Sequence, residues 1–269
     1  MPEGMQDRIV DDLRRSRKYC YVCEDTLERV AEWAAERHQK PRDAVKAAKR
    51  KLHQVYGSCA GQMDLRFVEE RTAEIEGGVN GDARREVCLE ILRRHASTDE
   101  RLPILDQVFA ALFAQTGAPA SILDLACGLN PFALPWMGLP GTAQYHAVDI
   151  DRRLMDAVGR FLGAMGQAGS AACRDILVDL PQTDVDVALL LKALPGLEQQ
   201  EKGISRALLQ RVRAGHVVVS FPTISLGGKR KGMPGHYDTF MQRLIEGLGV
   251  PAEKIEFPGE VFYVLRMTF

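Results

Sequence analysis

Apolar residues in the first hundred positions recur at the three- and four-residue spacing of amphipathic helices. The clearest apolar faces are formed by Val10 and Leu13, by Leu27, Val30, Trp33 and Ala34, and by Val45, Ala48, Leu52 and Val55. Helix breaks are expected near Lys40-Pro41, at 57–61 and at 77–81, where Gly and Pro accumulate. The pattern predicts an all-helical domain over residues 1–105.

After about residue 121 the pattern changes to short runs of branched residues, each followed by turn or helix signals. We predict strands at 121–126, 144–149, 170–175, 185–191, 216–221, 254–257 and 261–266. The first five alternate with helical segments, which indicates βαβ units and a parallel sheet. The last two are separated by three residues, a link that permits an antiparallel hairpin but no crossover helix.

This strand pattern predicts a fold class. By analogy, five parallel strands closed by an antiparallel pair are the architecture of class I methyltransferases. We therefore expect an α/β fold with a Rossmann-like, mostly parallel, seven-stranded sheet in the catalytic domain, residues 106–269, and an all-helical N-terminal domain before it.

Composition and charge exclude several classes of protein. The 35 Lys and Arg residues are balanced by 36 Asp and Glu, which excludes a histone-like or acidic-tail protein. No apolar run approaches the ~20 residues of a bilayer span, and residues 1–10 lack a secretory signal. We expect a cytoplasmic protein that does not associate with a membrane.

The six cysteines are too few and too scattered for a disulfide framework. Cys20 and Cys23 form a C-x-x-C pair, but the remaining Cys and His residues supply no second pair at zinc-ligand spacing. We therefore expect buried thiols and no metal site.

Three acids lie at the carboxyl ends of the first three predicted strands, where open α/β sheets bind their ligands: Asp124, Asp149 and Asp175. The loop from Asp124 to Pro131 has one glycine, Gly128, which permits a tight turn. A dinucleotide site would need more glycines, and its pyrophosphate would meet repulsion here, so a dehydrogenase is a weak alternative. S-adenosylmethionine carries no phosphate. Asp149 is suited to its ribose hydroxyls and Asp175 to its adenine amino group, although strand-end caps are the alternative for each acid alone.

The segment 95–101 lies between the two patterns. Ser97 followed by Glu100 predicts a capping box opening the next helix, which would carry Leu102 and Leu105. Arg101 can in addition serve as a guanidinium fork for the methionine carboxylate. Spacing alone favours the cap.

Five blocks of the sequence resemble the aminoglycoside-resistance 16S rRNA (guanine(1405)-N(7))-methyltransferases, the Arm family. They are His95-Ala-Ser-Thr-x-Glu-Arg-Leu102, Asp124-Leu-Ala-Cys-Gly-Leu-Asn-Pro131, Pro135-Trp-Met-Gly-Leu-Pro140, Leu190-Leu-Lys-x-Leu-Pro195 and Ser220-Phe-Pro-Thr-x-Ser-Leu-Gly-Gly-x-x-Lys-Gly-Met233. Similar motifs at 16–19 and 51–57 extend the resemblance over nearly the whole chain. Departures around Cys20, Ala193, Gly196 and Arg230 leave fine target preference open.

The resemblance implies an S-adenosylmethionine-dependent enzyme that methylates N7 of a guanine in 16S rRNA of the assembled 30S subunit. Such an enzyme confers resistance to aminoglycosides of the kanamycin and gentamicin type. We expect a monomer that acts on RNA and not on DNA.

The resemblance also assigns residues. Thr98 and Arg101 would hold the methionine end, with Gly128 against it, Asp149 at the ribose, and Asp175 and Ile176 at the adenine. The full expected cofactor-binding set is Thr98, Arg101, Asp124, Ala126, Gly128, Asn130, Asp149, Ile150, Asp175, Ile176 and Leu191. Lys192 matches the family lysine near the target base and is the candidate catalytic residue.

Guanine N7 carries a lone pair in the base plane and bears no proton, so its methylation needs no general base. The enzyme must align N7, the methyl carbon and the sulfur, a proximity effect of roughly 7 to 11 kcal/mol in well-aligned reactions. We assign Lys192 to guanine O6 or a flanking phosphate; a strand-end lysine reaching water is the alternative. Phe221 or Trp136 could stack on a flipped base, although both also suit packing roles.

Because net charge gives no argument for RNA binding, the local clusters of cations matter more. Three clusters suit phosphate contacts: Arg14, Arg15, Arg17 and Lys18; Arg42, Lys46, Lys49 and Arg50, which would share one helix face; and Lys229, Arg230 and Lys231. Solvated surface is the alternative for each cluster alone. We expect the helical domain to dock on rRNA and the third cluster to lie near the target base.

Three alternatives stay open at this point. The first is a methyltransferase of the same fold acting on another nucleotide, such as adenine N1, or on a small molecule. The second is a ribosome-binding assembly factor without turnover. The third is the weak dehydrogenase alternative.

Overall fold

The computed structural model describes residues 4–56, 63–223 and 233–267. The helices are α1 (Met5–Arg14), α2 (Glu24–Arg37), α3 (Pro41–Tyr56), α4 (Leu65–Glu76), α5 (Gly81–Leu92), α6 (Ala96–Asp99), α7 (Leu105–Thr116), α8 (Leu134–Met137), α9 (Arg152–Met165), α10 (Leu194–Gln200), α11 (Ile204–Leu209) and α12 (Met233–Leu248). The strands are β1 (Ser121–Leu125), β2 (Gln144–Asp149), β3 (Gly169–Cys173), β4 (Val185–Leu191), β5 (Ala214–Pro222), β6 (Ala252–Phe257) and β7 (Glu260–Arg266).

The seven strands of the described residues form one sheet in the order β3-β2-β1-β4-β5-β7-β6. Strands β1 to β5 are parallel, whereas β7 is antiparallel to both β5 and β6. The predicted α/β class and the C-terminal hairpin are confirmed. Strand order reverses between β1 and β4, and such a switch point opens a crevice at the carboxyl ends of the strands.

The sheet is buried on both faces, as expected for parallel strands made of continuous apolar runs. On one face it packs against Phe109, Phe132 and Phe161, which are fully buried. On the other, Leu190 and Phe221 belong to a second apolar layer beneath α10, α11 and α12. This rigid centre holds the strand ends in place.

Helices α1, α2 and α3 build a separate small core. It is rich in alanine, which lets the helices approach closely, and is completed by larger apolar residues. The buried positions include Val10, Leu13, Leu27, Val30, Ala34, Ala48, Leu52 and Val55 from the predicted faces. The predicted break at Lys40-Pro41 separates α2 from α3, and that at 77–81 separates α4 from α5. The break predicted at 57–61 lies outside the described residues.

Helices α4 and α5 pack differently from α1 to α3. Their apolar residues, among them Val68 and Ile91, belong to the same core as the sheet. Glu69 of α4 accepts two hydrogen bonds from Arg153 of α9, at 2.8 and 2.6 Å. The helical region before residue 105 therefore contains two packing groups, and the domain boundary at 105/106 stays a prediction.

The predicted capping box at 97–100 is wrong. Within the described part of the chain, no side-chain cap is found at the start of α6 or of α7, and α7 begins only at Leu105 after a 3-10 turn over 102–104. Ser97 Oγ lies 2.7 Å from His95 Nδ1, and Glu100 forms an ion pair with Lys192. Tertiary contacts thus replace the local cap.

Across residues 4–56, 63–223 and 233–267, no helix combines the length and apolar character of a bilayer span.

Candidate active site

The first strand ends in a buried carboxylate. Asp124 is 1% exposed, and its Oδ2 accepts hydrogen bonds from Asn130 Nδ2 at 2.9 Å and from Tyr145 Oη at 2.6 Å. Its Oδ1 has no hydrogen-bond partner among the described residues, although the atom is buried. Burial raises the pKa of Asp124 to about 6. Such a buried, unsatisfied acceptor is rare and calls for a donor from outside the chain.

The loop after β1 turns sharply. Ala126 and Gly128 both adopt left-handed backbone with φ of 51°, a conformation that is strained for a residue with a side chain. The backbone N–H groups of Gly128 and Ile150 donate to opposite oxygens of Asp149, at 2.9 and 2.7 Å. The loop and the end of β2 are thereby fixed to each other.

A buried ion pair connects the segment that follows α6 to the C-terminal hairpin. Arg101 donates from Nε and Nη2 to the two oxygens of Glu260, at 3.0 and 2.6 Å, and from Nη1 to Asn130 Oδ1 at 2.8 Å. Glu260 also accepts from Ser220 Oγ at 2.6 Å. Burial favours a high pKa for Glu260, but the Arg101 guanidinium and Lys192 more than offset it, so the pKa is lowered.

Glu260 was not predicted from the sequence. It follows Pro258 and Gly259, which the sequence indicates only as a hairpin turn. A buried arginine requires a partner, and that requirement becomes visible only once Arg101 is known to be 3% exposed.

Lys192 follows the fourth strand and is also held by acids. Its backbone is left-handed, with φ of 57°. Its Nζ donates to Ser97 O at 3.0 Å and to Glu100 Oε2 at 2.7 Å, and lies 3.4 Å from Glu260 Oε2. The side chain is 8% exposed, so the alternative of a lysine reaching into water is wrong.

Asp175 lies two residues beyond β3, because that strand ends at Cys173. Its Oδ2 accepts from Thr26 Oγ1 and from Arg29 Nε, both at 2.9 Å. Its Oδ1 accepts from the backbone N–H of Leu177 at 3.0 Å. The carboxylate is thus held by helix α2, a contact that the sequence did not predict.

A cavity with about 1080 Å³ of empty space, part of it open to solvent, lies at these strand ends. All eleven predicted cofactor-binding residues line it, together with Lys192. Further lining residues that sequence reasoning missed come from α2, α3 and α10: Arg29, Gln54, Val55, Leu197 and Gln200. They carry no local motif, because they reach the cavity only through packing of the helices.

The structure brings two of the three predicted basic clusters together. Arg15, Arg17 and Lys18 are exposed just after α1, and Lys18 Nζ lies 2.9 Å from His53 Nδ1 of α3. On α3, Arg42, Lys46 and Arg50 are exposed and Lys49 is half-buried. Arg14 pairs with Glu24, which neutralises part of the first cluster. We call the two clusters together, Arg14, Arg15, Arg17, Lys18, Arg42, Lys46, Lys49 and Arg50, the α1–α3 basic surface. The third cluster, Lys229 to Lys231, lies outside the described residues.

Phe221 is not a stacking partner for a flipped base. It is fully buried, stacks on Tyr237 with ring centroids 4.7 Å apart, and meets Phe240 edge-on. Trp136 is half-buried against the sheet core, with the Arg85 guanidinium 5.6 Å from its ring centre. Its stacking role stays a prediction.

Within the described residues, no group of three or more His, Cys, Asp or Glu side chains is arranged to hold a metal ion. The site consists of carboxylates, the buried Arg101 guanidinium, the Lys192 ammonium and backbone amides around an apolar-walled cavity. A sheet of this strand order, with acids at the ends of β1 and β2, is typical of class I methyltransferases.

Comparisons with known proteins agree with this class. The family described as Ribosomal RNA methyltransferase (FmrO) matches residues 15–264, and the chain belongs to this family. A 16S rRNA (guanine(1405)-N(7))-methyltransferase of Frankia casuarinae is 38% identical over 98% of this chain and 96% of its own length. One of Micromonospora echinospora is 35% identical over 98% of both chains.

Solved structures extend the similarity to three dimensions. The crystal structure of the 16S rRNA methyltransferase RmtF in complex with S-adenosyl-L-homocysteine has a TM-score of 0.84 at 32% identity and covers 100% of both chains. The 16S rRNA methylase RmtB has a TM-score of 0.80 at 29% identity, again over both whole chains.

Proposed function

We propose that this chain transfers the methyl group of S-adenosylmethionine to N7 of guanine 1405 in 16S rRNA of the assembled 30S subunit. The observation that carries the choice of methyl donor is the buried, unsatisfied Asp124 Oδ1 in a cavity lined by acids at the strand ends. Relatives that match the chain over nearly its full length bear this activity in their names. When bound, S-adenosylmethionine supplies an electrophilic methyl group on a sulfonium.

The residues of the cavity fit the polar groups of this donor one by one. Asp124 Oδ1 would accept from the ammonium, which satisfies its unpaired lone pairs. Arg101 uses three of its five N–H groups within the protein, so two can reach the methionine carboxylate. Thr98 lines the same end. A pyrophosphate would not fit, because Asp124 and Asp149 would repel it.

The adenosine end fits in the same way. Oδ2 of Asp149 accepts from Gly128 and can take a ribose hydroxyl. Oδ1 accepts from Ile150 at 2.7 Å and, more weakly, from Asp151 at 3.4 Å, and a second ribose hydroxyl would replace the longer bond. Asp175 and Ile176 would receive the adenine, with the apolar wall from Leu191 and Leu197 opposite.

The reaction requires alignment more than proton transfer. Guanine N7 attacks with a lone pair that is already free, so the chain needs no general base. Lys192 would contact guanine O6 or a phosphate by exchanging its bond to Glu100, which is half-exposed; its bonds to Ser97 and Glu260 would hold it in place. Positive charge moves onto the base, so this lysine orients the target and does not act as an electrophile.

The α1–α3 basic surface would dock on the RNA backbone. Its cations are spread over two helical segments, which suits phosphates on a rigid RNA read by shape and not by sequence. We propose residues 1–105 as the rRNA-docking domain and 106–269 as the catalytic domain of a monomer working in the cytoplasm. N7 methylation would give resistance to kanamycin- and gentamicin-type aminoglycosides.

The test compares methyl incorporation from labelled S-adenosylmethionine into whole 30S subunits, naked 16S rRNA and protein. Labelling of whole subunits, with the modified base mapped to guanine 1405 N7, is the expected result. Mapping to an adenine N1 would replace the proposed target, and subunit binding without labelling would identify an assembly factor. A susceptibility profile of a sensitive bacterium expressing the gene should show protection against one structural subclass of aminoglycosides.

A further inference from the structure

Helix α2 belongs to the group of helices α1 to α3, which has its own core, yet it binds a carboxylate of the catalytic cavity. Arg29 donates from Nε to Asp175 Oδ2 at 2.9 Å, and its Nη2 lies 2.7 Å from the same oxygen. Thr26, one turn earlier on α2, donates to this oxygen from Oγ1 at 2.9 Å. Asp175 is 2% exposed. A buried carboxylate without such partners would be strongly disfavoured.

These bonds determine which oxygen of Asp175 faces a ligand. A carboxylate oxygen accepts about two hydrogen bonds, so Thr26 and Arg29 fill Oδ2. Oδ1 takes the backbone N–H of Leu177 at 3.0 Å, which leaves it one acceptor position. An exocyclic amino group in the cavity is a suitable donor for that position.

Arg29 also connects α2 to the rim of the cavity. Its Nη2 donates to Gln200 Oε1 of α10 at 3.1 Å, and Lys51 Nζ of α3 donates to Gln200 O at 2.8 Å. Arg29 of α2 and Gln54 and Val55 of α3 line the cavity together with Gln200 of α10. One end of the cavity is therefore enclosed by α2, α3 and α10 jointly.

We propose that Arg29 is a positioning residue of the methyl-donor site, one that orients Asp175 toward the 6-amino group of the donor's adenine. The inference rests on the proposed function, since it assumes an adenosine-containing donor. It assigns part of donor recognition to helix α2, which packs against the helices that carry the α1–α3 basic surface. Arg29 acts through Asp175 and does not touch the reacting atoms.

The test measures discrimination between two ligands by titration calorimetry. The first ligand is S-adenosylhomocysteine, and the second is its analogue with purine in place of adenine, which lacks the 6-amino group. The wild-type protein should bind the first about tenfold more tightly, the size of one buried hydrogen bond. In Arg29→Gln the affinity for S-adenosylhomocysteine should fall about tenfold, whereas that for the purine analogue should barely change. The Arg29→Gln variant should therefore bind S-adenosylhomocysteine and the purine analogue with about equal affinity.

Two further variants separate positioning from general damage. Arg29→Lys keeps the charge and should restore part of the discrimination. Arg213→Gln is the matched control, because Arg213 forms a similar two-bond pair with Asp184 at the surface, away from the cavity; it should behave like wild type. In steady-state assays, Arg29→Gln should raise the KM for S-adenosylmethionine and leave kcat and the KM for 30S subunits unchanged.

Equal affinities of Arg29→Gln and wild type for both ligands would overturn the proposal, and so would an equal loss for both ligands. Should Arg29→Gln fail to fold, as judged by circular dichroism, Thr26→Val carries the test, since it removes a donor to the same oxygen with little change in shape. It should reduce discrimination in the same direction. Failure of the proposed function is distinguishable, because wild type would then bind neither ligand or label no subunits.

Discussion

The cations of the α1–α3 basic surface are mostly exposed, whereas Arg101 and Lys192 at the strand-end cavity are buried. Arg42, Lys46 and Arg50 of α3 are exposed, and the core beneath α3 is rich in alanine. Arg101 and Lys192 have side chains 3% and 8% exposed, and both contact Glu260, which is fully buried. The same residue types therefore meet two different environments.

The difference matters because the environment of a cation determines both its contribution to stability and its availability to a ligand. Exposed cations contribute little to stability and are screened by salt, but they remain available to phosphates. Buried cations depend on their partners, and removal of one partner leaves an uncompensated charge. The first group should therefore control RNA affinity and the second should control the integrity of the cavity.

Loss of the buried acid should give the largest effect. Glu260→Ala leaves Arg101 and Lys192 without their shared partner, so the free energy of unfolding should fall by about 3–5 kcal/mol. Urea denaturation measures this change. Asp184→Ala, which breaks the exposed pair with Arg213, should cost less than about 1 kcal/mol. Equal costs for the two variants would contradict the contrast between buried and exposed charge.

Reversal of surface charge should have the next largest effect and act on RNA alone. The triple variant Lys46→Glu, Lys49→Glu, Arg50→Glu should weaken 30S binding about a hundredfold at low salt and flatten its salt dependence. Filter binding at several salt concentrations measures both quantities. Affinity for S-adenosylmethionine should stay unchanged. Loss of donor binding with intact subunit binding would show that this face does not dock RNA.

Donor affinity should depend on pH through Asp124. Burial raises the pKa of this group to about 6, and an ammonium requires the ionised form. Affinity should be full above pH 7 and fall as the pH drops below about 6. Asp124→Asn should bind roughly tenfold more weakly at pH 7.5 and show no such pH dependence. Calorimetry across pH 5 to 8 provides the measurement.

In the unliganded protein, Asp124 also makes the free energy of unfolding depend on pH, and here the change with pH runs in the opposite direction to that of donor affinity. Its folded pKa lies above the unfolded value near 4, so its contribution is present at low pH and is lost as the pH rises from about 4 to about 6. Tyr145→Phe removes a hydrogen bond that lowers this pKa and should move the midpoint of donor binding upward. A midpoint unchanged by Tyr145→Phe would separate the pH effect from Asp124.

The smallest effect should come from the backbone of the cavity loop. Gly128 has φ of 51°, and a methyl group there would meet nothing within 4 Å, so Gly128→Ala should cost about 1 kcal/mol through backbone strain alone. Gly163→Ala in helix α9 also meets nothing within 4 Å and should be neutral or stabilising by about 0.5–1 kcal/mol. Thermal unfolding compares the two. An unchanged thermal stability of Gly128→Ala would show that this turn tolerates a side chain.

Much of the fold could be predicted because its signals are local. The alternation of apolar runs with helical segments identified the seven strands of the described residues to within two residues at every end, and the acids near the strand ends indicated the edge of the sheet where the cavity lies. These features depend on residues close together in the chain. The capping box at 97–100 failed for the converse reason, since Glu100 pairs with Lys192 from 92 positions away.

By itself the sequence determined the α/β class, the direction of the last two strands and the location of Asp124, Asp149 and Asp175 at the carboxyl edge of the sheet. The tertiary structure decided which partners these groups have: Arg101 pairs with Glu260 across 159 positions, and Asp175 with Arg29 across 146. Hydrophobic periodicity is encoded at spacings of two to four residues, whereas the partner of a buried charge is selected by packing, which joins distant segments without leaving a local pattern.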